Sequence, residues 1–239
     1  YTRGNYDISS LKYCISGGAA LPHALLNKVE ETLKISVIEG YGLTETSPVI
    51  AVNTFKNGSV PGSVGPIVPN VDVKIINESG EEKNLGEIGE ILVRGETVMQ
   101  GYWNLPKETN ETITSDGWLK TGDLGHLDKK KRLFISAGRK KDLIIRAGEN
   151  ISPLAIENVL MNHPAILEVA AVGVPDKRTG ERVKVCIVLR QGAIATDSEL
   201  KSFCRENLAA FMTPDYFQFM SELPKTATGK ILKSELKKN

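Results

Sequence analysis

Five short segments hold most of the side chains in this sequence that could do chemistry. Gly17 and Gly18, with Ala19 and Ala20, sit where an apolar run ends, so no side chain would block a planar ring from the backbone; the same pair also suits an ordinary turn before a helix. Tyr41, Gly42, Leu43, Thr44 and Glu45 bring together an aromatic face, a hydroxyl and a hard oxygen anion. Such a carboxylate suits Mg²⁺, and Thr-Glu equally suits a helix capping pair. Asp123 follows Thr121 and Gly122 in what reads as a tight turn that aims its carboxylate outward, although such a tripeptide is often a turn and nothing more. In Arg139-Lys-Lys-Asp142 the Arg139 fork suits hydroxyl and phosphate oxygens, while Lys140 reads as a solvated charge. Lys230 ends Pro224-Lys-Thr-Ala-Thr-Gly-Lys230. A flexible cation on such a loop could offset the charge that builds up as two anions meet, or Thr228-Gly229-Lys230 could simply open a basic helix.

Other chemistries find less support. His23, His126 and His163 are isolated, and neither Cys-x-x-Cys nor His-x-x-x-His spacing occurs, which disfavours zinc. Gly229-Lys230 is followed by Ile231 and fails the Walker pattern, and no Gly-x-Ser-x-Gly elbow marks a covalent hydrolase.

These residues need a scaffold that ends strands in loops. Leu11–Ser16 reads as a strand, Pro22–Leu33 as a helix with Pro in its first turn, and Ile35–Ile38 as a second strand. Strand, helix, strand is the grammar of a parallel sheet, whose ligands collect beyond the carboxyl ends of the strands, here at Gly17–Ala20 and Gly40–Glu45. From Ser59 to Ile135, Gly and Pro punctuate short alternating runs (Val71–Ile76, Gly89–Val93, Leu124–Leu127, Arg132–Ile135), the pattern of an antiparallel sheet or small barrel. After Gly138 a small α+β domain is expected: a strand at Asp142–Arg146, a helix at Pro153–Met161, strands at Glu168–Val174 and Val183–Leu189, a helix at Ser198–Asn207, and a basic helix after Gly229.

With 239 residues, 41% hydrophobic and 25% charged, the chain can bury one large core or two smaller ones, which disfavours disorder and coiled coil. Thirty Lys and Arg against 29 Asp and Glu leave a net charge of +1, which argues against nucleic acid as a partner. No apolar run approaches the roughly 20 residues of a membrane helix. Cys14, Cys186 and Cys204 are far apart, two of them in strand-like runs, so reduced, buried thiols and a cytoplasmic location are expected.

Taken in order, Ser16–Ala20, Tyr41–Glu45, Trp118–Asp123, Gly138–Asp142 running to Glu157, and Pro224–Lys230 resemble the later motifs of the acyl-adenylate-forming (AMP-binding) family, which includes acyl-CoA synthetases, luciferases and peptide-synthetase adenylation domains. Gly138–Pro153 (GRKKDLIIRAGENISP) and Tyr41–Pro48 (YGLTETSP) look most like the fatty-acyl-CoA ligase branch. The resemblance implies an α/β and α+β fold: residues 1–138 would end a large adenylating domain, with a parallel βα unit and a small β-barrel-like subdomain, and residues 139–239 would form a small mobile lid. It implies that a medium- or long-chain fatty acid is activated with ATP and Mg²⁺ to an acyl-adenylate and passed to coenzyme A.

By the same resemblance, Gly17, Gly18 and Ala19 would seat adenine, Tyr41 beside Gly42 would stack on it, Thr44 would touch the phosphates, and Glu45 would hold Mg²⁺. Asp123 and Arg139 would hold the ribose, Lys141 would be the hinge, and Lys230 would act on the substrate carboxylate and α-phosphate. Gly148 would let the pantetheine arm of coenzyme A pass close to the backbone; some relatives carry Lys where Ile145 stands, so that side-chain role is absent. The glycine-, serine- and threonine-rich loop that grips the β- and γ-phosphates in relatives lies upstream of these motifs, and nothing in the sequence replaces it. Because the first residue is Tyr1 and not Met, the sequence reads as the back part of a longer ligase, inactive alone. Two alternatives stay open: a non-catalytic fragment with residual nucleotide or coenzyme A binding, and an adenylating enzyme that loads a carrier protein. A peripheral membrane association is compatible with this reading, and oligomeric state is not legible.

Overall fold

A computed structural model describes residues 7–19, 21–56, 58–60, 62–227 and 229–238; Tyr1, and Ala20 and Thr228 of the motifs above, lie outside them. The backbone divides into two compact units. One runs to Ile135 without Gly122–Leu124, and the other takes those three residues and continues from Ser136.

In the first unit, β1 (Tyr13–Ser16), α1 (His23–Leu33) and β2 (Ser36–Gly42) build the expected parallel arrangement, with Tyr13 opposite Ser36 and Ser16 opposite Glu39. Helix α1 stops where Lys34 turns left-handed (φ 55°) and its N–H caps the Glu30 carbonyl. Strand β2 takes in Gly40, Tyr41 and Gly42, which the sequence reading placed in a loop. The cause is a partner that alternation does not reveal: β3 (Val49–Val52) returns antiparallel, setting Gly40 against Val52 and Tyr41 against Ala51. Strand β1 is the edge of this sheet and leaves Tyr13 and Ile15 exposed, whereas parallel sheets ordinarily have both faces covered.

Next come β4 (Ser63–Pro66), β5 (Val71–Ile76), β6 (Gly89–Gly95), α2 (Pro106–Thr112), β7 (Leu119–Leu127) and β8 (Arg132–Arg139). Their five strands run in the order β4-β8-β7-β6-β5, with β5 on β6 and β4 on β8 antiparallel. Alternation sends Val71, Ile75, Ile91, Val93 and Leu133 into one core with Ile50 and Ala51 of β3. Thr121-Gly122-Asp123 is not the expected turn but part of β7. The Thr121 hydroxyl donates to the Ile91 carbonyl at 2.9 Å, tying the tripeptide to the sheet, while Gly122 takes a left-handed φ of 71° without ending the strand.

The second unit contains β9 (Ile144–Arg146), β10 (Glu149–Ile151), α3 (Pro153–Leu160), β11 (Ile166–Asp176), β12 (Gly180–Leu189), α4 (Asp197–Asn207), β13 (Tyr216–Phe219) and α5 (Lys233–Leu236). Its sheet runs β10-β9-β12-β11, and β13 lies parallel to β12. The single strand expected at Asp142–Arg146 is a 3₁₀ turn, Lys140–Asp142, followed by the β9–β10 hairpin. Ala147 (φ 51°) and Gly148 (φ 87°) supply the two consecutive left-handed residues that a two-residue hairpin requires. Strands β11 and β12 are near-continuous apolar runs because both faces are buried. Val169, Ala171, Val185 and Ile187 pack with Ile156, Leu160, Leu200 and Cys204 of the helices; Ala170, Val172, Cys186 and Val188 face the other way, under Leu223 and Leu236. Lys184 is buried, and its ammonium donates to the Leu236 carbonyl at 3.1 Å.

The basic helix expected after Gly229 shrinks to the four residues of α5. A Lys225–Ile231 bridge and the Thr226 N–H, which donates to the Lys230 carbonyl at 2.8 Å, hold the preceding segment as a closed loop. All three cysteines are free; burial pushes the Cys186 thiol up and the Cys204 thiol to about 11. No described helix is long and apolar enough to cross a membrane.

Candidate active site

The strand ends of the first unit hold their site residues through backbone geometry. Gly17 follows directly on the Ser16–Glu39 pair and lies beside Gly40, where a Cβ would make ordinary contact, 3.4 Å from the Gly40 carbonyl oxygen. Gly18 (φ 84°) then turns the chain toward Ala19. Glu39, 9% exposed, accepts the Leu21 N–H at the far end of this loop, so one residue fixes the loop's entry by strand register and its exit by side chain. Burial holds the Glu39 carboxyl above its ordinary range, a shift the Leu21 bond opposes.

Tyr41 is half-buried against the Ile50–Ala51 core. Gly42 has no alternative, since a Cβ there would fall 1.7 Å from the Pro48 carbonyl oxygen. Thr44 and Glu45 follow in the 3₁₀ turn Thr44–Thr46, which is fixed by the fully buried Thr46: its hydroxyl accepts the Leu43 N–H at 3.1 Å and donates toward the Pro48 carbonyl at 2.8 Å. Thr44 is exposed and Glu45 half-buried. The Glu45 backbone carbonyl accepts the Met99 N–H at 2.9 Å, and its Oε1 accepts the Tyr102 O–H at 2.9 Å. Sequence reasoning missed Tyr102, which lies 57 residues from Glu45, a separation no periodicity reveals. Its one signal is Gly101 immediately before it, where a Cβ would lie 2.8 Å from Thr109 Cγ2.

In the second unit, Asp123 is 6% exposed and its Oδ1 lies 3.4 Å from Arg139 Nε, so the two residues expected to share one sugar are brought together. Lys141 lies in the exposed part of the Lys140–Asp142 turn. Lys230 is exposed, its N–H donating to Thr226 Oγ1 at 3.1 Å, and ion pairs hold its loop on both sides: Lys225 to Glu168 and Lys233 to Glu157, each at 2.6 Å. Glu157 also accepts the Ala171 N–H, which couples α3 to β11 and α5. Gly148 caps the β9–β10 hairpin with open space where a Cβ would stand. Arg146 anchors that hairpin by donating to the Phe211 and Thr213 carbonyls and pairing with Asp215 at 3.1 Å.

No cluster of three or more His, Cys, Asp or Glu among the described residues could hold a metal. A single carboxylate with one oxygen still available does fit Mg²⁺, which is ordinarily held by one or two carboxylates together with phosphate oxygens and water. Glu45, with Oε1 taken by Tyr102, offers a carboxylate of that kind.

Loops at strand ends, an aromatic-hydroxyl-carboxylate turn, and a lysine loop on an α+β unit are the features on which the sequence resembles adenylate-forming enzymes. The chain belongs to the AMP-binding enzyme family: residues 2–103 match the AMP-binding enzyme model and residues 155–230 its C-terminal domain model. A long-chain-fatty-acid–CoA ligase of Bacillus subtilis is 46% identical over 233 residues, 97% of this chain and 41% of the relative. The chain thus spans about two fifths of that relative's length. Among solved structures, ATP-bound MatB from Rhodopseudomonas palustris superposes with a TM-score of 0.89 at 35% identity, over 94% of this chain and 44% of that one. The o-succinylbenzoate CoA synthetase of Bacillus subtilis with its acyl-adenylate intermediate gives 0.84 at 34% identity, over 95% and 46%.

Proposed function

We propose that this chain is the part of a medium- or long-chain fatty-acyl-CoA ligase that carries its adenine, ribose, hinge and lysine elements. The observation that supports it best is the 46% identity to a long-chain-fatty-acid–CoA ligase across 97% of the chain, with every quoted motif in order. The loop that grips the β- and γ-phosphates would come from polypeptide outside these 239 residues. The exposed Tyr13 and Ile15 on the edge strand β1 are the kind of surface on which such a segment could pack.

In this reading residues 1–138 and 139–239 are two bodies that turn about Lys141. Gly17–Ala19 and Tyr41 hold adenine, Asp123 and Arg139 the ribose, and Thr44 the phosphates. Bound Mg²⁺ at Glu45 supplies charge neutralisation on the phosphate oxygens. A fatty-acid carboxylate oxygen attacks the α-phosphorus, the bond to the bridging oxygen breaks, and pyrophosphate leaves. Lys230, exposed on a loop tied down at both ends, offsets the negative charge where the two anions meet. The thiolate of coenzyme A, passing the open space at Gly148, then attacks the acyl carbon and AMP departs. The cytoplasm is the proposed compartment.

ATP–pyrophosphate exchange with medium- and long-chain fatty acids tests the reading. Exchange is expected from the polypeptide expressed from its own reading frame and not from these residues alone. Turnover by the 239 residues alone would refute the fragment reading, while acyl transfer from the adenylate to a phosphopantetheinyl carrier protein but not to coenzyme A would reassign the second half-reaction.

A further inference from the structure

The residue that most directly determines where the Glu45 carboxylate stands is not in any of the five motifs. Tyr102 donates its phenolic O–H to Glu45 Oε1 at 2.9 Å, and three residues earlier the Met99 N–H donates to the Glu45 backbone carbonyl at the same distance. The segment Met99–Tyr102 therefore grips both ends of one residue. Tyr102 is itself held: its N–H donates to Thr109 Oγ1 at 2.9 Å, and the Thr109 hydroxyl donates to the Leu105 carbonyl at 2.8 Å. The approach is close enough that Gly101 has no room for a Cβ beside Thr109.

A glutamate on a short 3₁₀ turn ordinarily samples several rotamers, and fixing them opposes binding. A phenol on one carboxylate oxygen selects a rotamer and leaves the second oxygen to a cation, which suits the single-carboxylate, phosphate-rich coordination of Mg²⁺. We infer that Tyr102 is a positioning residue for the divalent cation that accompanies ATP, acting by pre-orienting Glu45 for single-oxygen coordination. The inference rests on the proposed role of Glu45 as the cation ligand.

The test is a titration of Mn²⁺ with ATP into the polypeptide expressed from its own reading frame, followed by water-proton relaxation, which separates protein-held Mn²⁺–ATP from the free complex. AMP binding in EDTA and the thermal midpoint are measured in parallel. Tyr102→Phe keeps the ring and removes the donor; it is expected to weaken Mn²⁺ binding about tenfold, as loss of a hydrogen bond to a charged group would. AMP binding and the thermal midpoint should stay unchanged, and Glu45→Gln should weaken Mn²⁺ binding further. Wild-type Mn²⁺ binding in Tyr102→Phe with a defect in Glu45→Gln overturns the inference and spares the Glu45 reading. Indifference to both substitutions, or no cation-dependent ATP binding in the parent, overturns both. An equal loss of AMP binding in Tyr102→Phe makes the tyrosine a support of the fold and also overturns the inference.

Discussion

The two units hold their functional residues by different physics. In the first, position is set by tight backbone and uncharged hydroxyl groups: Gly42 has no room for a side chain, the buried Thr46 hydroxyl locks the turn that carries Thr44 and Glu45, and the Tyr102 hydroxyl holds the Glu45 carboxylate. In the second it is set by charged side chains: Lys225 on Glu168, Lys233 on Glu157 and Arg146 on Asp215 tie down loops whose own tips, Gly148 and Lys230, stand in open space or solvent. On the proposed roles, a planar ring would rest beside closely packed backbone, and the Lys230 cation would be carried on an anchored loop with an exposed tip.

Four substitutions and added salt would break or sharpen that contrast. Gly42→Ala drives a Cβ into the Pro48 carbonyl and should cost about 3 kcal/mol or more in urea unfolding; Gly148→Ala, strained in φ but unobstructed, should cost only about 1 kcal/mol. Equal costs would erase the distinction. Next, Lys230→Ala in the parent polypeptide should slow ATP–pyrophosphate exchange about 100-fold while leaving stability, and acyl transfer from a supplied acyl-adenylate, intact. A parallel loss in both half-reactions would mean the lysine is not specific to the first. Arg146→Ala strips a partly buried cation from two carbonyls and Asp215, and about 1–2 kcal/mol of stability should go with it. Adding salt should mimic this at the second unit's surface pairs, but not at Gly42.

The smallest effect concerns pH. Burial raises the Glu39 carboxyl, so the folded state binds more protons than the unfolded state between the ordinary and the raised values. Stability should therefore decline as pH rises through that window, and Glu39→Gln should flatten the slope in a pH series of denaturant midpoints. An unchanged slope would mean that burial and the Leu21 hydrogen bond cancel, and a slope changed in the opposite sense would mean that the hydrogen bond outweighs burial.

Much of the scaffold was legible in the sequence, for identifiable reasons. Alternation marked β5 to the residue, and Val183–Leu189, apolar except for Lys184, was readable as a strand. What escaped was pairing between distant or irregular pieces. β3 carries no pattern that announces its return along Gly40–Gly42, and Thr-Gly-Asp looks like a turn unless the Ile91 carbonyl that holds Thr121 is known. The candidate site divides the same way: its motif residues are proposed from their resemblance to a family, while Tyr102, Glu39 and Asp215 act through partners 18 or more residues away in the chain, where no local signal reaches.

The buried Lys184 bears on how the chain is made. Strand β12 leaves the ribosome well before Leu236, whose carbonyl receives the Lys184 ammonium and whose side chain helps cover the second face of the sheet. Until that stretch has emerged, Ala170, Val172 and Val188 lack the cover of Leu236 and Lys184 lacks this acceptor, so the second face of the sheet closes only after α5 has been made.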